Sequence, residues 1–146
     1  MVLFFSIFGT IMRHVKISQR ELKNVAKLYE SVMSNASHGL FFREGSAFGV
    51  EIAALAMKDR GNFFDIAAGE LKERGWVEEI TFDGKTITAK GSIEASKGEE
   101  PTCHRLRGIL RQLYEAYDNE KIYCSEKKCV SVGDEVCVFN IEPIDQ

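Results

Sequence analysis

The sequence predicts an α+β fold in which an antiparallel sheet packs against about four helices, in the order β-ααα-ββ-α-ββ. Two observations along the chain predict this fold. Apolar residues recur at helical spacing up to about residue 75, and short β-rich segments around glycine-containing turns follow. With 146 residues, of which 45% are hydrophobic, the chain is long enough for one core. We therefore expect a single domain over residues 1–146.

The opening segment "MVLFFSIFGTIM", residues 1–12, is apolar and uncharged. It is shorter than the roughly 20 residues that span a bilayer, and it lacks the basic start of a secretory signal. We interpret it as the first strand, with an N-terminal extension ahead of the domain as the alternative. We expect a cytoplasmic protein without a membrane span. The net charge of −3 gives no general attraction to nucleic acid, so we expect no nucleic-acid partner.

Three helices are predicted next. The first starts at a capping box formed by Ser18 and Glu21. Its apolar residues at helical spacing are Leu22, Val25, Leu28, Tyr29 and Val32. The segment "NASHGLFF" is predicted as a turn and a short strand. The second helix, "REGSAFGVEIAALAMKD", carries Gly45 and Gly49 four residues apart, which would let another backbone approach closely. The third, "NFFDIAAGELKERGW", is predicted to stop at Gly75.

Two hairpins and a fourth helix complete the prediction. Asp83-Gly84 lies between β-rich arms, which is a strong hairpin signal. The fourth helix, "CHRLRGILRQLYEAYDN", has one apolar face made of Leu106, Ile109, Leu110, Leu113 and Tyr117. The segments "EKIYCSE" and "VCVFNIE" are predicted as the last two strands, joined by a turn that bears cysteines.

The segment "CSEKKCVSVGDEVCVF", residues 124–139, holds three of the four cysteines. Together with the remaining cysteine and one carboxylate it offers five candidate metal ligands: Cys103, Cys124, Glu126, Cys129 and Cys137. Cys124 and Cys129 have the C-x4-C spacing of a structural zinc pair, and Cys103 follows Thr102, a candidate N-cap, where a helix dipole favours a thiolate. In the cytoplasm, clustered cysteines favour a metal over disulfides or inert buried thiols, which remain the alternatives. Four ligands would close the site, as in structural zinc centres.

The C-terminal half resembles the vinyl-4-reductase (4-vinyl reductase) domain family. Members show a cysteine that opens the last long helix, then E-x-x-C, a Gly-Asp turn and Cys-x-Phe in the last strand. Here the corresponding residues are Cys103, Glu126, Cys129, Gly133, Asp134, Cys137 and Phe139. The helix with Gly45 and Gly49 also resembles the family, so the resemblance extends from about residue 18 to 143.

The resemblance implies a fold shared with TRAPP trafficking subunits and haem-based nitric-oxide sensors (the NO-signalling and Golgi-transport ligand-binding fold). It implies a homodimer and a structural Zn²⁺ held by Cys103, Glu126, Cys129 and Cys137. Cys124 is an extra cysteine relative to the family pattern and stays an alternative ligand, because thiolates are the softer donors. In related phenol-responsive sensor domains the zinc lies beside a buried aromatic-binding pocket, so a small apolar, hydrocarbon-type ligand is expected.

The candidate walls of such a pocket are large apolar residues of helices two to four and the start of the sheet: Phe48, Ile52, Phe63, Phe64, Trp76 and Leu106. The function expected is that of a ligand-binding or sensory domain that acts through a separate effector protein. The alternatives are a reductase of a vinyl-bearing tetrapyrrole-type substrate and a protein-assembly module like the TRAPP subunits. No glycine-rich nucleotide or flavin motif is found, so an enzyme is the less favoured interpretation and no catalytic residue is predicted.

Overall fold

A computed structural model describes residues 13–95, 102–129, 134 and 136–144. Within them the chain forms four α-helices: α1 (Gln19–Met33), α2 (Ala36–Met57), α3 (Phe63–Glu73) and α4 (His104–Asp118). The four described strands are β1 (Glu79–Asp83), β2 (Thr86–Lys90), β3 (Ile122–Lys128) and β4 (Cys137–Pro143). They form one antiparallel sheet in the order β1-β2-β4-β3. The predicted α+β class is confirmed. The predicted first strand lies in residues 1–12, outside the described residues, and residues 13–18 carry no regular structure.

The start of α2 differs from the prediction. The segment "NASHGLFF" is predicted to form a turn and a short strand, but α2 begins at Ala36 directly after a turn at Ser34 and Asn35. The two phenylalanines of the segment explain the difference. Phe41 is buried and meets the ring of Tyr29 edge-on, while Phe42 lies under the guanidinium of Arg107. These tertiary contacts require a helix, and they override the local turn signal of the sequence.

The predicted start of α1 and the predicted end of α3 are confirmed. Ser18 Oγ accepts the backbone N–H of Glu21, and the Glu21 carboxylate accepts the N–H of Ser18, which is the capping box. At the end of α3, Gly75 has a φ of +89°, and Trp76 N–H donates to the carbonyl of Leu71. This is the Schellman arrangement, which glycine favours because it has no Cβ.

The first hairpin is confirmed with its loop displaced by one residue. Asp83 pairs with Thr86, so the two loop residues are Gly84 and Lys85. Gly84 has a φ of +60° and occupies the first loop position, as glycine does in type II′ turns.

The core lies between the sheet and the helices. The face of α4 predicted to be apolar is buried at Leu106, Ile109, Leu110 and Leu113, and α4 contacts β3 and β4. On its other side α4 lies against α2, and α3 contacts β1. α1 buries none of its residues, so its apolar face is not part of this core.

Helices α2 and α4 cross with their backbones in contact, as the paired glycines predicted. A Cβ on Gly45 would overlap the carbonyl of Arg105, and one on Gly49 would lie 3.1 Å from the carbonyl oxygen of Ile109. Gly108 provides the reciprocal gap on α4, since its Cβ would overlap the carbonyl of Phe42. Neither backbone can move apart without exposing the buried side chains around the crossing, so these positions demand glycine.

We therefore expect Gly45→Ala to lower the free energy of unfolding by about 2–3 kcal/mol, or roughly 5–10 °C in Tm, because the added methyl displaces a backbone carbonyl. The matched control is Gly39→Ala in the same helix, where a Cβ would meet nothing within 4 Å. That change should leave Tm unchanged or raise it through helix propensity. Thermal unfolding followed by circular dichroism measures both, and equal Tm values for the two variants would contradict the close crossing.

Candidate metal centre

Three segments of the chain bring four candidate ligands together. Cys103 is the N-cap residue of α4, Glu126 lies in β3, Cys129 follows β3, and Cys137 is the first residue of β4. The sulfur atoms and a carboxylate oxygen of these residues all lie within 4.8 Å of one another. They are the four residues that the family resemblance implied. In the part of the chain that the structure describes, no other group of three or more histidine, cysteine, aspartate or glutamate residues converges in this way.

An irregularity in β3 accounts for the position of Cys129. Side chains alternate along a strand, and Cys124 and Glu126 lie on the same face of β3. Strict alternation would then turn Lys128 inward and Cys129 outward. The pairing with β4 shifts between Glu126 and Lys128, which adds one residue to β3 and reverses the phase. Cys129 is therefore fully buried, whereas Lys128 is exposed.

The backbone of Cys129 is held by Asp134, the aspartate of the predicted Gly-Asp turn. The N–H of Cys129 donates to Asp134 Oδ2 at 2.9 Å, and the N–H of Asp134 donates to the carbonyl of Cys129 at 3.2 Å. Gly133 itself lies outside the described residues. These two hydrogen bonds tie the backbone of Cys129 to Asp134, which lies three residues before Cys137.

The sulfur–sulfur distances are those of a tetrahedral thiolate site. Cys103 Sγ lies 3.7 Å from Cys137 Sγ and 4.0 Å from Cys129 Sγ, and the last two are 3.9 Å apart. Zinc–sulfur bonds of about 2.3 Å in tetrahedral geometry require sulfurs about 3.8 Å apart. A disulfide would need about 2.0 Å, so these distances exclude a disulfide bond among the three cysteines.

Glu126 provides an independent indication of a cation. Both of its carboxylate oxygens are buried, and neither accepts a hydrogen bond from the described residues. Burial, and then the neighbouring Cys129, raise the pKa of Glu126 to about 8. A buried carboxylate without hydrogen-bond partners is costly, and a metal ion is a natural compensation for that cost. The residues present therefore fit a metal ion.

The thiol of Cys103 is also perturbed. Its contacts with the Cys129 and Cys137 thiols, together with burial, raise its pKa well above the ordinary value. The dipole of α4 is expected to favour a thiolate here, but the neighbouring sulfurs outweigh it in the chain alone. The predicted N-cap is also wrong. Cys103 itself occupies that position, while Thr102 Oγ1 donates to the carbonyl of Glu94 at 2.8 Å.

Cys124, the alternative ligand, lies outside the group. Its side chain is buried in the hydrophobic core two residues before Glu126, and its carbonyl accepts a hydrogen bond from Arg107. Burial raises its pKa to about 12, so it behaves as a small apolar side chain. The sequence spacing did not distinguish Cys124 from Glu126, because that choice depends on where each residue lies along β3.

Two residues that the sequence analysis missed contact the helix start that bears Cys103. Cys103 Sγ donates to Ser92 Oγ at 3.2 Å, and the Glu94 carboxylate accepts the backbone N–H groups of Arg105 and Leu106. Both lie in a polar segment after β2 that carries no periodic signal. His104 is not part of the metal group. Its ring stacks on that of His38 at 4.1 Å, and burial lowers its pKa to about 4.

The candidate pocket residues lie in two kinds of environment. Ile52, Phe63 and Leu106 are fully buried in the core, and Phe64 and Trp76 are partly buried against it. Phe48 is 47% exposed, and the centroid of its ring lies 5.7 Å from that of the Trp76 ring. The structure thus pairs Phe48 with Trp76 at the edge of the core and Phe63 with Phe64 inside it.

An aromatic cluster that the sequence did not predict extends from Phe64. Its ring packs against those of Phe82, Tyr114 and Tyr117, at centroid distances of 5.1, 4.8 and 4.9 Å. Tyr114 donates a hydrogen bond to the carbonyl of Gly84, which ties the cluster to the first hairpin. Periodicity alone assigned Tyr117 to the apolar face of α4 and gave no indication of this partner set.

The fold and the site together define an α+β domain with a thiol-rich candidate metal centre between its last helix and last hairpin. Residues 86–143 match the family model of the vinyl-4-reductase domain. The predicted resemblance to that family is thereby confirmed for the segment that contains all four candidate ligands. No curated protein matches the sequence.

Three solved structures share the fold. The phenol-responsive sensory domain of the transcription activator PoxR, solved with phenol, has a TM-score of 0.78 at 19% identity and covers 90% of this chain and 77% of its own. A vinyl-4-reductase family protein from Methanocaldococcus jannaschii has a TM-score of 0.65 at 20% identity, with 91% and 85% covered. Subunit 3 of the trafficking protein particle complex from Naegleria fowleri, covalently bound to palmitic acid, has a TM-score of 0.51 at 15% identity, with 83% and 93% covered.

None of the helices that the structure describes is long and apolar enough to cross a bilayer.

Proposed function

We propose that this protein is a ligand-binding or sensory domain stapled by a structural zinc ion, and that it binds small apolar or aromatic molecules. The observation that carries the metal part is the convergence of three thiols, whose sulfurs lie 3.7–4.0 Å apart, and a Glu126 carboxylate oxygen within 4.8 Å of them that accepts no hydrogen bond from the described residues. The ligand-binding part is supported by the match to the vinyl-4-reductase domain and by the phenol bound to the PoxR sensory domain.

The donor set favours zinc as the metal and a structural role for it. Three soft thiolate sulfurs and one hard carboxylate oxygen form a mixed set that suits zinc, a borderline ion, whereas magnesium and calcium prefer oxygen alone. Four protein ligands leave no position open for a substrate, and thiolates reduce the Lewis acidity of the ion. When bound, zinc would cross-link separate segments of the chain and would not take part in a reaction. Cys103, Glu126, Cys129 and Cys137 would join the start of α4 to the end of β3 and the start of β4.

The edge of the core between α2 and the start of β1 is the proposed place for the ligand. Phe48 and Trp76 offer two rings 5.7 Å apart, and Phe48 is accessible from outside. Ile52, Phe63, Phe64 and Leu106 complete the proposed wall towards the interior. Aromatic rings suit flat apolar ligands, and the indole N–H of Trp76 offers one polar contact for a ligand hydroxyl.

The apolar face of α1 supports the homodimer that the family resemblance implies. Leu28 is 59% exposed and Val32 is 75% exposed, one helical turn apart on a helix that buries none of its residues. An apolar stripe of this kind is typical of a surface that a partner covers, and a second copy of the chain is the partner we propose. Signal output would then pass through a separate effector protein. Thiols that hold a metal ion would also suit the cytoplasm, which keeps cysteines reduced.

The zinc staple predicts that metal and stability are lost together. Cys129→Ser and Cys137→Ser should each lower the zinc content from one per chain to near zero and reduce the free energy of unfolding by about 3–5 kcal/mol, or roughly 10 °C in Tm. Cys124→Ser is the matched control, because Cys124 is equally buried but outside the group. It should keep its zinc. Metal analysis and thermal unfolding check both properties, and ligand variants that retain the parent Tm would refute the staple.

Ligand binding is tested by the fluorescence of Trp76, the single tryptophan of the chain. Phenol and larger alkylphenols titrated into zinc-loaded protein should change its emission in a saturable way, because the ligand would contact the indole ring. Phe48→Ala should weaken that binding by roughly tenfold through loss of one stacking wall. Leu40→Ala, an exposed apolar change elsewhere on α2, should leave it unchanged. A response that does not saturate, or that is equal in both variants, would argue against the proposed place.

The dimer is tested by native mass spectrometry of protein purified without chelator. We expect two chains and two zinc ions, and Leu28→Glu should shift the species to one chain, because a charge would then lie in the apolar contact. Lys27→Glu, on the neighbouring position of the same helix, is the control for charge. Monomeric parent protein at micromolar concentration would contradict the proposed dimer without affecting the zinc site.

A further inference from the structure

The cap of α4 is unusual because the N-cap residue makes no capping hydrogen bond. A helix start leaves backbone N–H groups unpaired, and the N-cap side chain normally accepts one of them from the second or third helical residue. Here the N-cap is Cys103, and its side chain accepts neither. Its sulfur points instead towards Cys129 and Cys137. The four-residue metal group therefore takes the side chain that would otherwise cap the helix.

Glu94 provides the missing cap from nine residues earlier in the chain. Its carboxylate oxygens accept the N–H of Arg105 at 3.1 Å and that of Leu106 at 2.9 Å, which are the second and third positions of α4. A carboxylate at this place also suits the positive end of the helix dipole. Two charged hydrogen bonds to the first turn thus hold the orientation of α4 at the point where Cys103 leaves it.

The carboxylate of Glu94 is itself held in place. Only 5% of its side chain is exposed, and it lies 3.5 Å from a guanidinium nitrogen of Arg105, which in turn pairs with Glu44 of α2 and lies over the ring of Phe41. On the other side, Ser92 Oγ accepts a hydrogen bond from Cys103 Sγ. The segment Ser92–Ala95 therefore contacts both the helix start and the sulfur of the first candidate ligand.

We infer that Glu94 is a positioning residue of the proposed metal site, which caps α4 in place of Cys103 and so leaves the Cys103 sulfur free for the metal. The inference rests on the proposed zinc site. It extends that site to the segment Ser92–Ala95, which none of the metal ligands belongs to.

The same segment links the metal site to Trp76. The N–H of Ile93 donates to the carbonyl of Trp76 at 2.9 Å, and the carbonyl of Ile93 accepts a hydrogen bond from Gln19 at the start of α1. Metal that orders the start of α4 would order Glu94, then Ile93, and then the backbone of Trp76. Because coupling between two sites is reciprocal, a change at Glu94 should also lower the affinity of the site for metal.

The test compares Glu94→Gln with Glu115→Gln. Glu115 is the matched control, because its carboxylate also accepts a backbone N–H, that of Ile122, and pairs with an arginine, but near the opposite end of α4. Zinc affinity is measured by competition with a chromophoric chelator, and Trp76 emission is recorded in the same titration. We expect Glu94→Gln to weaken zinc binding by about tenfold or more, as loss of a supporting contact does in other metal sites, and Glu115→Gln to leave it within about threefold.

The outcomes separate this inference from the proposed function. Suppose that the parent protein binds one zinc ion. If the Glu94→Gln variant then binds zinc equally tightly, or if Trp76 emission does not respond to zinc, the role of Glu94 is overturned and the zinc site stands. Parent protein that binds no zinc would overturn both.

If circular dichroism shows that Glu94→Gln does not fold, the test moves to amide hydrogen exchange in the parent. Zinc should then slow exchange at Arg105 and Leu106 more than at Ile122, which Glu115 holds. Equal slowing at all three amides would overturn the inference.

Discussion

The contact between the backbones of α2 and α4 is the constraint on which the rest of the structure depends. Gly45 and Gly49 on one helix and Gly108 on the other remove the side chains that would keep the two apart. The close crossing buries the face of α4 that packs on the sheet, and it places Glu44 beside Arg105 at the first turn. The start of α4 is thereby fixed in both position and direction. Of the four candidate ligands, Cys103 lies outside the last hairpin, and its position is set by the start of α4 because it is the N-cap residue of that helix.

Two features of the last hairpin bring its candidate ligands to the start of α4. The irregularity in β3 turns Cys129 inward after Glu126, and the Asp134 carboxylate holds the backbone of Cys129 by a hydrogen bond. Neither feature stabilises the sheet itself, since a bulge interrupts the ladder of hydrogen bonds. Both are explained by the site, which needs two sulfurs and a carboxylate from one hairpin. Burial of the Glu126 carboxylate beside three thiols carries a desolvation cost that the described residues do not offset, and the cation proposed for this site would offset it.

Much of this arrangement is predictable from sequence because its signals are local. The capping box of α1, the glycine that ends α3, the apolar face of α4 and the glycine pair of α2 all depend on residues close together in the chain. The start of α2 was not predictable, because Phe41 and Phe42 are helical on account of contacts with Tyr29 and Arg107. The spacing of the cysteines indicated a metal site, but Cys124 and Glu126 lie on the same face of β3, and only their positions along that strand separate them. Glu94 gave no signal at all, since its partners are the backbone N–H groups of a helix that begins ten residues later.

The exposure of α1 has a consequence for how the protein folds. A helix of 15 residues is marginal in water by itself, and α1 has little support from the described chain: its capping box, a hydrogen bond from Gln19 to Ile93 and a few contacts with α2. Whatever covers its apolar face therefore also supplies much of the free energy that keeps it helical. With the proposed second copy of the chain as that cover, folding of this segment and association would be one equilibrium, and the order of α1 would depend on protein concentration in a way that the order of α4 would not.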